Sequence, residues 1–374
     1  MAEKLPRILI AGAGPAGLTA ALELARRGIA ARIIDNNAPS PIHESRALAV
    51  NERTMQLLAP SGVASMIEAE AIKLRQMQIF SGARRIAAID LGDDGGAGVF
   101  LRSLPQGRTE RLLASRLAEF GIAPQWGVAF TGFAEPRQGR PVAKLAGPNG
   151  EEAFEADLVI GADGAHSSVR KSLGLEFAGE GFPETFYIAD IVYDRDIDRD
   201  YAQARFQNPG VIAYIPVNKR TFRYISTLED FKSRIQHPAE PVEIIWESTF
   251  KAIFRHVSAM QAGPVFLAGD AAHIHSPVGG RGMNLGIEDA CWLAWLISEG
   301  RQEEYTGLRM DAVEHVLAQT KAATRGILLQ NPAGVWLRNT LAPLALKIPA
   351  FRRAFIKAAA GLDTPAAPWL ERAP

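Results

Sequence analysis

Short β-branched runs that lead directly into glycine-rich turns recur at three places along the chain. Residues 7–11, Arg-Ile-Leu-Ile-Ala, read as a buried strand, and residues 31–35, Ala-Arg-Ile-Ile-Asp, as a second. Between them Leu18, Ala21, Leu22 and Ala25 return at helical spacing until Gly28 stops the helix. Residues 157–160 and 265–268 read as two further buried strands. The second is followed by a helix, opening near Asn284, whose apolar face holds Leu285, Trp292, Leu293 and Leu296. Another helix is predicted over Thr109–Phe120. Residues 186–193, 211–216 and 221–227 behave differently. They alternate or run β-branched and aromatic, with turn signals at Asn208-Pro-Gly and Asn218-Lys-Arg, and predict an antiparallel sheet. Toward the end, Ile327, Val335, Trp336, Leu341 and Leu346 followed by Arg352, Arg353 and Lys357 predict short amphipathic helices over 323–374.

The first strand runs into Gly12-Ala13-Gly14-Pro15-Ala16-Gly17, a G-x-G-x-x-G opening a helix, and the second strand ends in Asp35. Gly12 permits the tight turn, Gly14 lets the backbone approach a pyrophosphate, and Gly17 lets helix and strand pack closely. The helix start supplies unpaired N–H groups for phosphate. Asp35 can accept hydrogen bonds from ribose hydroxyls and would repel a 2′-phosphate, so the first site takes FAD or NAD. The motif alone does not separate those two.

Composition then narrows the classes. At 374 residues the chain is long enough for about two domains. Its 41 Lys+Arg cancel 41 Asp+Glu, which gives no overall electrostatic case for nucleic acid or an anionic membrane. Cys291, the single cysteine, rules out an internal disulfide and any CxxC redox pair, and it reads as inert core. No run of 18 apolar residues exists to span a bilayer. Lys4 and Arg7 before an apolar stretch mimic a signal peptide only until Gly12, Gly14, Pro15 and Gly17 interrupt it. A reducing cytoplasm is the expected setting.

Two later segments carry more chemistry. Residues 161–170 read GADGAHSSVR, with Asp163 on a glycine-flanked turn and Arg170 behind it. Residues 269–290 read GDAAHIHSPVGGRGMNLGIEDA, where a strand delivers Asp270 and a glycine loop opens a helix. With GAGPAG at 12–17, these three segments resemble, in order, the fingerprints of the class A flavoprotein monooxygenases of the para-hydroxybenzoate hydroxylase type. The resemblance spans residues 7 to about 300.

That resemblance implies an α/β fold: a discontinuous Rossmann-type FAD-binding domain over 1–72, 101–175 and 263–322. A substrate domain built on an antiparallel sheet would be inserted as 73–100 and 176–262, with C-terminal helices over 323–374. FAD would be held by Gly12, Ala13, Gly14, Pro15 and Ala16, with Asp35 on the adenosine ribose and Arg46 on the pyrophosphate. Gln106, before the Thr109 helix, would contact the ribityl chain, as would Asp270. Asp163 would sit near the pyrophosphate and assist nicotinamide binding. Gly280 and Gly282 shape the last loop, and the amides of Met283 and Asn284 would face the flavin N1–C2=O edge. A helix N-terminus carries roughly half a positive charge, placed where reduced flavin is negative. Arg281 either adds to that field or is a solvated loop cation.

The implied reaction is hydroxylation of an aromatic or electron-rich ring with O₂ and NADH or NADPH, through a flavin C4a-hydroperoxide, in a monomer or homodimer. If the sheet roofs the flavin, Phe206, Tyr214, Pro216, Phe222 and Tyr224, with Pro277 of the glycine loop, are the expected substrate contacts. The relatives' carboxylate-holding Arg has no equivalent at Ile215-Pro216-Val217, and alternation sets Arg223 opposite Phe222 and Tyr224. No side chain is nominated as catalytic, because the cofactor carries the chemistry. His273 and His275 have metal-like spacing but no third ligand cluster nearby, so both read as structural and no metal is expected. His43 is a loop residue, Asp93 and Asp94 decorate a glycine loop, and Trp292 and Trp295 pack. A saturating reductase, a dehydrogenase or a non-turning-over FAD scaffold remain alternatives. The basic, apolar C-terminal helices are of the kind that can also rest on lipid.

Overall fold

The computed structural model describes residues 6–39, 47–92, 101–207 and 210–370. Arg46, His43, Asp93, Asp94 and Asn208 lie outside the described residues. In chain order the principal elements begin with β1 (Ile8–Ala11), α1 (Pro15–Ala25), β2 (Ala31–Asp35), α2 (Gln106–Ala118) and β3 (Leu158–Gly161). There follow β4 (Ala178–Tyr193), β5 (Tyr201–Phe206), β6 (Val211–Pro216), β7 (Thr221–Ser226), β8 (Pro241–His256) and β9 (Val265–Leu267). Four helices close the chain: α3 (Gly282–Ser298), α4 (Tyr305–Ile327), α5 (Pro332–Ala345) and α6 (Pro349–Ala360).

Each apolar run becomes a strand buried on both faces, as a parallel sheet requires. β9, β3, β1 and β2 lie side by side in that order, all parallel, with Ile8–Ala11 matched to Leu158–Gly161 on one side and Ala31–Ile34 on the other. Because the strands are parallel, their C-terminal ends, which carry the three glycine turns, emerge together. The α1 residues Leu18 and Leu22 join Ile287 and Leu293 of α3 and the sheet in one buried apolar cluster.

α2 begins at Gln106 and ends at Ala118, not at Thr109 and Phe120 as the periodicity predicts. Pro105, with its fixed φ of −53°, occupies the N-cap and starts the helix at once. Among the described residues the roof sheet has eight strands in the order 273–274, β8, β4, β7, β6, β5, 76–81 and 84–90. Its pairing is antiparallel except where β5 runs alongside 76–81. A small sheet of Ala49–Val50, Leu101–Ser103 and Ile72–Leu74 lies between the roof and the start of α3. The molecule is thus an α/β protein in which one parallel sheet is assembled from distant segments beneath an inserted antiparallel sheet.

Candidate functional site

Three turns meet at the C-terminal ends of β1, β3 and β9. Gly12 has φ +105°, and a Cβ there would lie 2.2 Å from the Ala162 carbonyl oxygen, so only glycine fits between the first two turns. Gly17 is held as tightly, since a Cβ would lie 1.9 Å from the Gly12 oxygen. Gly14 differs: beyond its chain neighbours no described atom lies within 4 Å of where its Cβ would be, and its φ of −76° suits any residue. Gly14 is also the N-cap of α1, with no side chain capping that end. The amides of Ala16 and Gly17, in the first turn after Pro15, have no acceptor within the helix. An open space before uncapped amides fits a pyrophosphate.

Asp35 fixes this loop from below. Its carboxylate accepts from the Ala13 amide at 2.7 Å and the Asn37 amide at 2.8 Å, leaving further lone pairs for a ribose hydroxyl. Gln106 stands at the start of α2 and donates to Glu110 at 2.8 Å. Burial pushes the Glu110 carboxyl above its ordinary range and the charge of Asp35 adds to the rise, while the Gln106 bond opposes it. Glu110 was not among the sequence-derived candidates. Its signal was a Gln and a Glu four residues apart on one helix face.

The second turn is closed by its own acid. Asp163 accepts from Ser167 Oγ at 2.5 Å and from the Ser168 and Val169 amides at 2.7 and 3.1 Å. Its carboxylate therefore shapes the turn, while its backbone amide abuts Gly12. Arg170 links this turn to the third: it donates to Ala271 O and Ala165 O, both at 2.8 Å, and lies over Phe177. In the third turn Gly269 has φ +61° and packs against Ala16 of α1 and Gly286 of α3. The Asp270 side chain points into an exposed position at the same strand end. The three motifs are thus in mutual contact.

The start of α3 is fixed from several directions. Gly279 and Gly280 have φ +84° and +64°, and the Gly280 amide bonds to Pro277 O at 2.9 Å, which places Pro277 in the turn before the helix. A Cβ on Gly280 would lie 2.6 Å from that of Ala49. The Asn284 side chain makes four hydrogen bonds, accepting from the Asn51 amide and Thr54 Oγ and donating to Ala49 O and Gly280 O. Gly282, Met283 and Asn284 form the first turn, so their amides have no intrahelical acceptor.

Arg281 is not the solvated loop cation. It is buried, donates to Ala358 O at 2.6 Å and pairs with Asp363 at 2.9 Å, which ties the helix start to the C-terminal segment. His273 is buried against Asp289 at 2.6 Å, and Asp289 also accepts from Arg309 at 2.9 Å. Burial alone would raise the Asp289 carboxyl, but His273 and Arg309 outweigh it and hold the acid below its usual range. His275 bonds through Nδ1 to Ser276 O, and burial lowers it to about 4, so it is neutral at pH 7. No group of His, Cys, Asp and Glu among the described residues could hold a metal ion.

The roof sheet has two faces with different fates. On one, Tyr193, Tyr214, Phe222 and Tyr224 form a closed aromatic cluster under Phe231, with Tyr193 and Tyr224 hydroxyls 2.7 Å apart. On the other, Ile79, Ala204, Ala213, Ile225 and Ile188 are register partners in one row across five strands. This second face meets the nucleotide-side elements: Ile215 packs with Leu74, Leu101 and Ile356, and Ile225 clusters with Leu328 of the α4 end. Ala204, Ala213, Ile215 and Ile225 are only half-buried there.

Tyr214, Phe222 and Tyr224 therefore face away from the glycine turns. Pro216 shares their strand parity, although its carbonyl accepts from Ser103 Oγ at 2.5 Å. Phe206 is on the inner-face parity, buried beneath the Arg338 guanidinium at 3.6 Å. Arg223 also lies on the inner-face parity but is fully buried. It is paired to both Asp190 oxygens at 2.7 Å and stacked over Trp246, so its charge is spent within the sheet.

A family model described as an FAD binding domain matches residues 6–235 and 226–319. The 6-methylpretetramide 4-monooxygenase of Streptomyces rimosus is 34% identical over 370 residues, covering 92% of this chain and 64% of that protein. Pentachlorophenol 4-monooxygenase of Sphingobium chlorophenolicum is 29% identical over 311 residues, covering 78% and 58%. This chain thus spans somewhat less than two thirds of either relative. Among solved structures, an anhydrotetracycline hydroxylase from Streptomyces rimosus superposes with TM-score 0.80 at 28% identity, covering 97% of this chain and 77% of that one. A p-nitrophenol 4-monooxygenase from Pseudomonas putida DLL-E4 gives TM-score 0.86 at 19% identity, covering 97% and 99%, a likeness of fold.

Proposed function

The chain belongs to the FAD binding domain family, and from that membership we propose that it is an NAD(P)H-dependent monooxygenase hydroxylating an aromatic or other electron-rich ring. FAD, reduced by NADH or NADPH, supplies the activation of O₂ from which one oxygen atom enters the ring. The carrying observation is the meeting of three strand ends with the uncapped starts of α1 and α3 at one place.

The chain's own residues would bind, orient and exclude water. The open side of Gly14 and the Ala16 and Gly17 amides would take the pyrophosphate, and Asp35 the adenosine ribose. Asp270, exposed at the β9 end, and Gln106 would hold the ribityl chain. The Met283 and Asn284 amides, at the positive end of α3, would meet the N1–C2=O edge. NAD(P)H would bind transiently, since the sequence carries one dinucleotide fingerprint.

For the substrate, the half-buried Ala204, Ala213, Ile215 and Ile225 offer a smooth aliphatic ceiling. With Arg223 neutralised by Asp190, that ceiling favours an uncharged ring over a benzoate-like anion. The names of the relatives, a pretetramide and a chlorophenol monooxygenase, agree with a phenolic ring. No described helix is long and apolar enough to cross a membrane, and we place the enzyme in the cytoplasm.

The test is a screen of phenols and heteroaromatics for stimulated NAD(P)H oxidation by the FAD-loaded protein, followed by mass analysis of products formed under ¹⁸O₂. Label in the product supports the proposal. Turnover without label indicates a reductase, and bound FAD that no nicotinamide reduces indicates a scaffold.

A further inference from the structure

Between Glu314 and Asp363 the chain holds 48 residues without a single Asp or Glu, although acids and bases balance at 41 each overall. Seven Lys or Arg fall in that stretch. Its two last helices and the turn between them also carry most of the exposed large hydrophobic side chains among the described residues. Six of nine exposed large hydrophobic residues among those described are Trp336, Leu337, Leu341, Leu344, Ile348 and Phe351. Trp336 is 64% exposed and Phe351 59%. Leu337, Leu341 and Leu344 follow one another at helical spacing along one side of α5, and Ile348 and Phe351 continue the exposed apolar run through the turn at 346–348 into α6. Singly scattered exposed apolar residues need no explanation, but six within sixteen residues do.

The run is not the loose side of an undocked segment. Arg338 lies on Phe206 and donates to Gly326 O and Ile327 O, and Ile356 and Ala360 are buried against the roof cluster. The helices are seated by one face and present the other. Lys347, Arg353 and Lys357 of the same segment are exposed.

We propose that the outer face of α5 and α6 is a docking surface for an anionic lipid bilayer. Trp336, Leu341, Leu344 and Phe351 enter the boundary between headgroups and acyl chains, and Lys347, Arg353 and Lys357 meet lipid phosphates. Charge complementarity selects this occupant over a second copy of the chain. A two-fold interface would set the acid-free run against itself and bring like charges together. Docking is peripheral, since neither helix can cross the membrane.

The experiment is co-sedimentation of the FAD-loaded protein with phosphatidylcholine vesicles, with and without phosphatidylserine, at low and high salt. The expected result is pelleting with the anionic vesicles alone, reversed by salt. The triple variant Lys347→Glu, Arg353→Glu, Lys357→Glu should lower the partition coefficient about a hundredfold. Trp336→Ser with Phe351→Ser should weaken it about tenfold or more. Unchanged FAD content and unfolding temperature in both variants show that they fold. Absence of sedimentation with either vesicle, or equal sedimentation with both, overturns the proposal. So does a concentration-dependent dimer that the Trp336 and Phe351 changes dissociate, because a second copy would then cover the face.

Discussion

Gly14 and Gly17 lie three residues apart in one motif, yet the structure gives them different work. At Gly17 an added methyl would sit 1.9 Å from the Gly12 carbonyl oxygen and 2.9 Å from its carbon, both backbone atoms that no rotamer change can move. Gly17→Ala should therefore damage the apoprotein itself. At Gly14 the methyl meets no described atom within 4 Å beyond its chain neighbours. The expected folding cost is a poorer N-cap for α1, at most about 1 kcal/mol. On the proposed binding mode the methyl would occupy the approach of the pyrophosphate to the Ala16 and Gly17 amides. Losing two hydrogen bonds to a charged phosphate, each worth roughly 1.5–3 kcal/mol, removes about 3–6 kcal/mol of FAD binding. That is about a hundredfold to more than ten-thousandfold in Kd. Thermal unfolding of the apoproteins and titration of FAD fluorescence measure the two effects separately. Gly14→Ala should unfold close to wild type and fail to retain FAD. Wild-type affinity in Gly14→Ala, or equal apoprotein stability in the two variants, refutes the reasoning.

Other outcomes follow from the same geometry. Arg223→Met strands Asp190 without its buried partner and should cost about 3–5 kcal/mol, whereas Arg223→Met with Asp190→Leu should be nearly neutral; additive losses in urea unfolding would contradict this. His275 titrates near 4 in the fold and near 6.5 when unfolded, so the unfolded chain takes up a proton first and stability should fall as pH drops from 6.5 to 4. The slope is on the order of 1 kcal/mol per pH unit, and His275→Gln should flatten it; an unchanged slope counts against the burial argument. Asp270→Ala should weaken FAD retention about tenfold or more, read by titration of FAD fluorescence, and wild-type retention would remove Asp270 from the proposed site. Ala213→Leu should raise KM for the ring substrate at constant FAD content, while Tyr214→Ala should lower stability and leave KM alone; the reverse pattern would return the aromatic residues to the site.

The glycine turns were readable in the sequence because strand, turn and helix start are all local. Hydrophobic run, Gly spacing and terminal acid sit within forty residues, and their chemistry does not depend on what lies elsewhere. The orientation of the roof was not readable. β7 reads Thr-Phe-Arg-Tyr-Ile-Ser, so alternation correctly separates Phe222 and Tyr224 from Arg223 and Ile225. It cannot say which set looks inward when both are buried. Aromatic residues suit a ring pocket, but they equally suit a closed cluster with Phe231, and tertiary packing made that choice. Arg223 was equally opaque, because Asp190 lies 33 residues away on another strand and only the register brings the two side by side.

The C-terminal segment gains a role that periodicity could not give it. On the proposed reading, the amides of Met283 and Asn284 stabilise negative charge only if they are already aimed before it develops. A helix start in a loop of three glycines would otherwise relax and forfeit that advantage. The structure opposes relaxation at every neighbouring position. Asn284 is held by four hydrogen bonds to the 49–54 segment and its own loop. Arg281 is held by Ala358 O and Asp363. One turn further along, Glu288 and Asp289 are gripped by Arg309 of α4, and Glu288 also accepts from Thr364. Residues 358–364 thus brace the helix whose first turn is assigned the flavin. Breaking the brace without changing the net charge, by Arg281→Met with Asp363→Leu, should leave the residues of the first turn unchanged yet shift the reduction potential of bound FAD to more negative values. A potential unchanged from wild type would show that the first turn of α3 needs no such support.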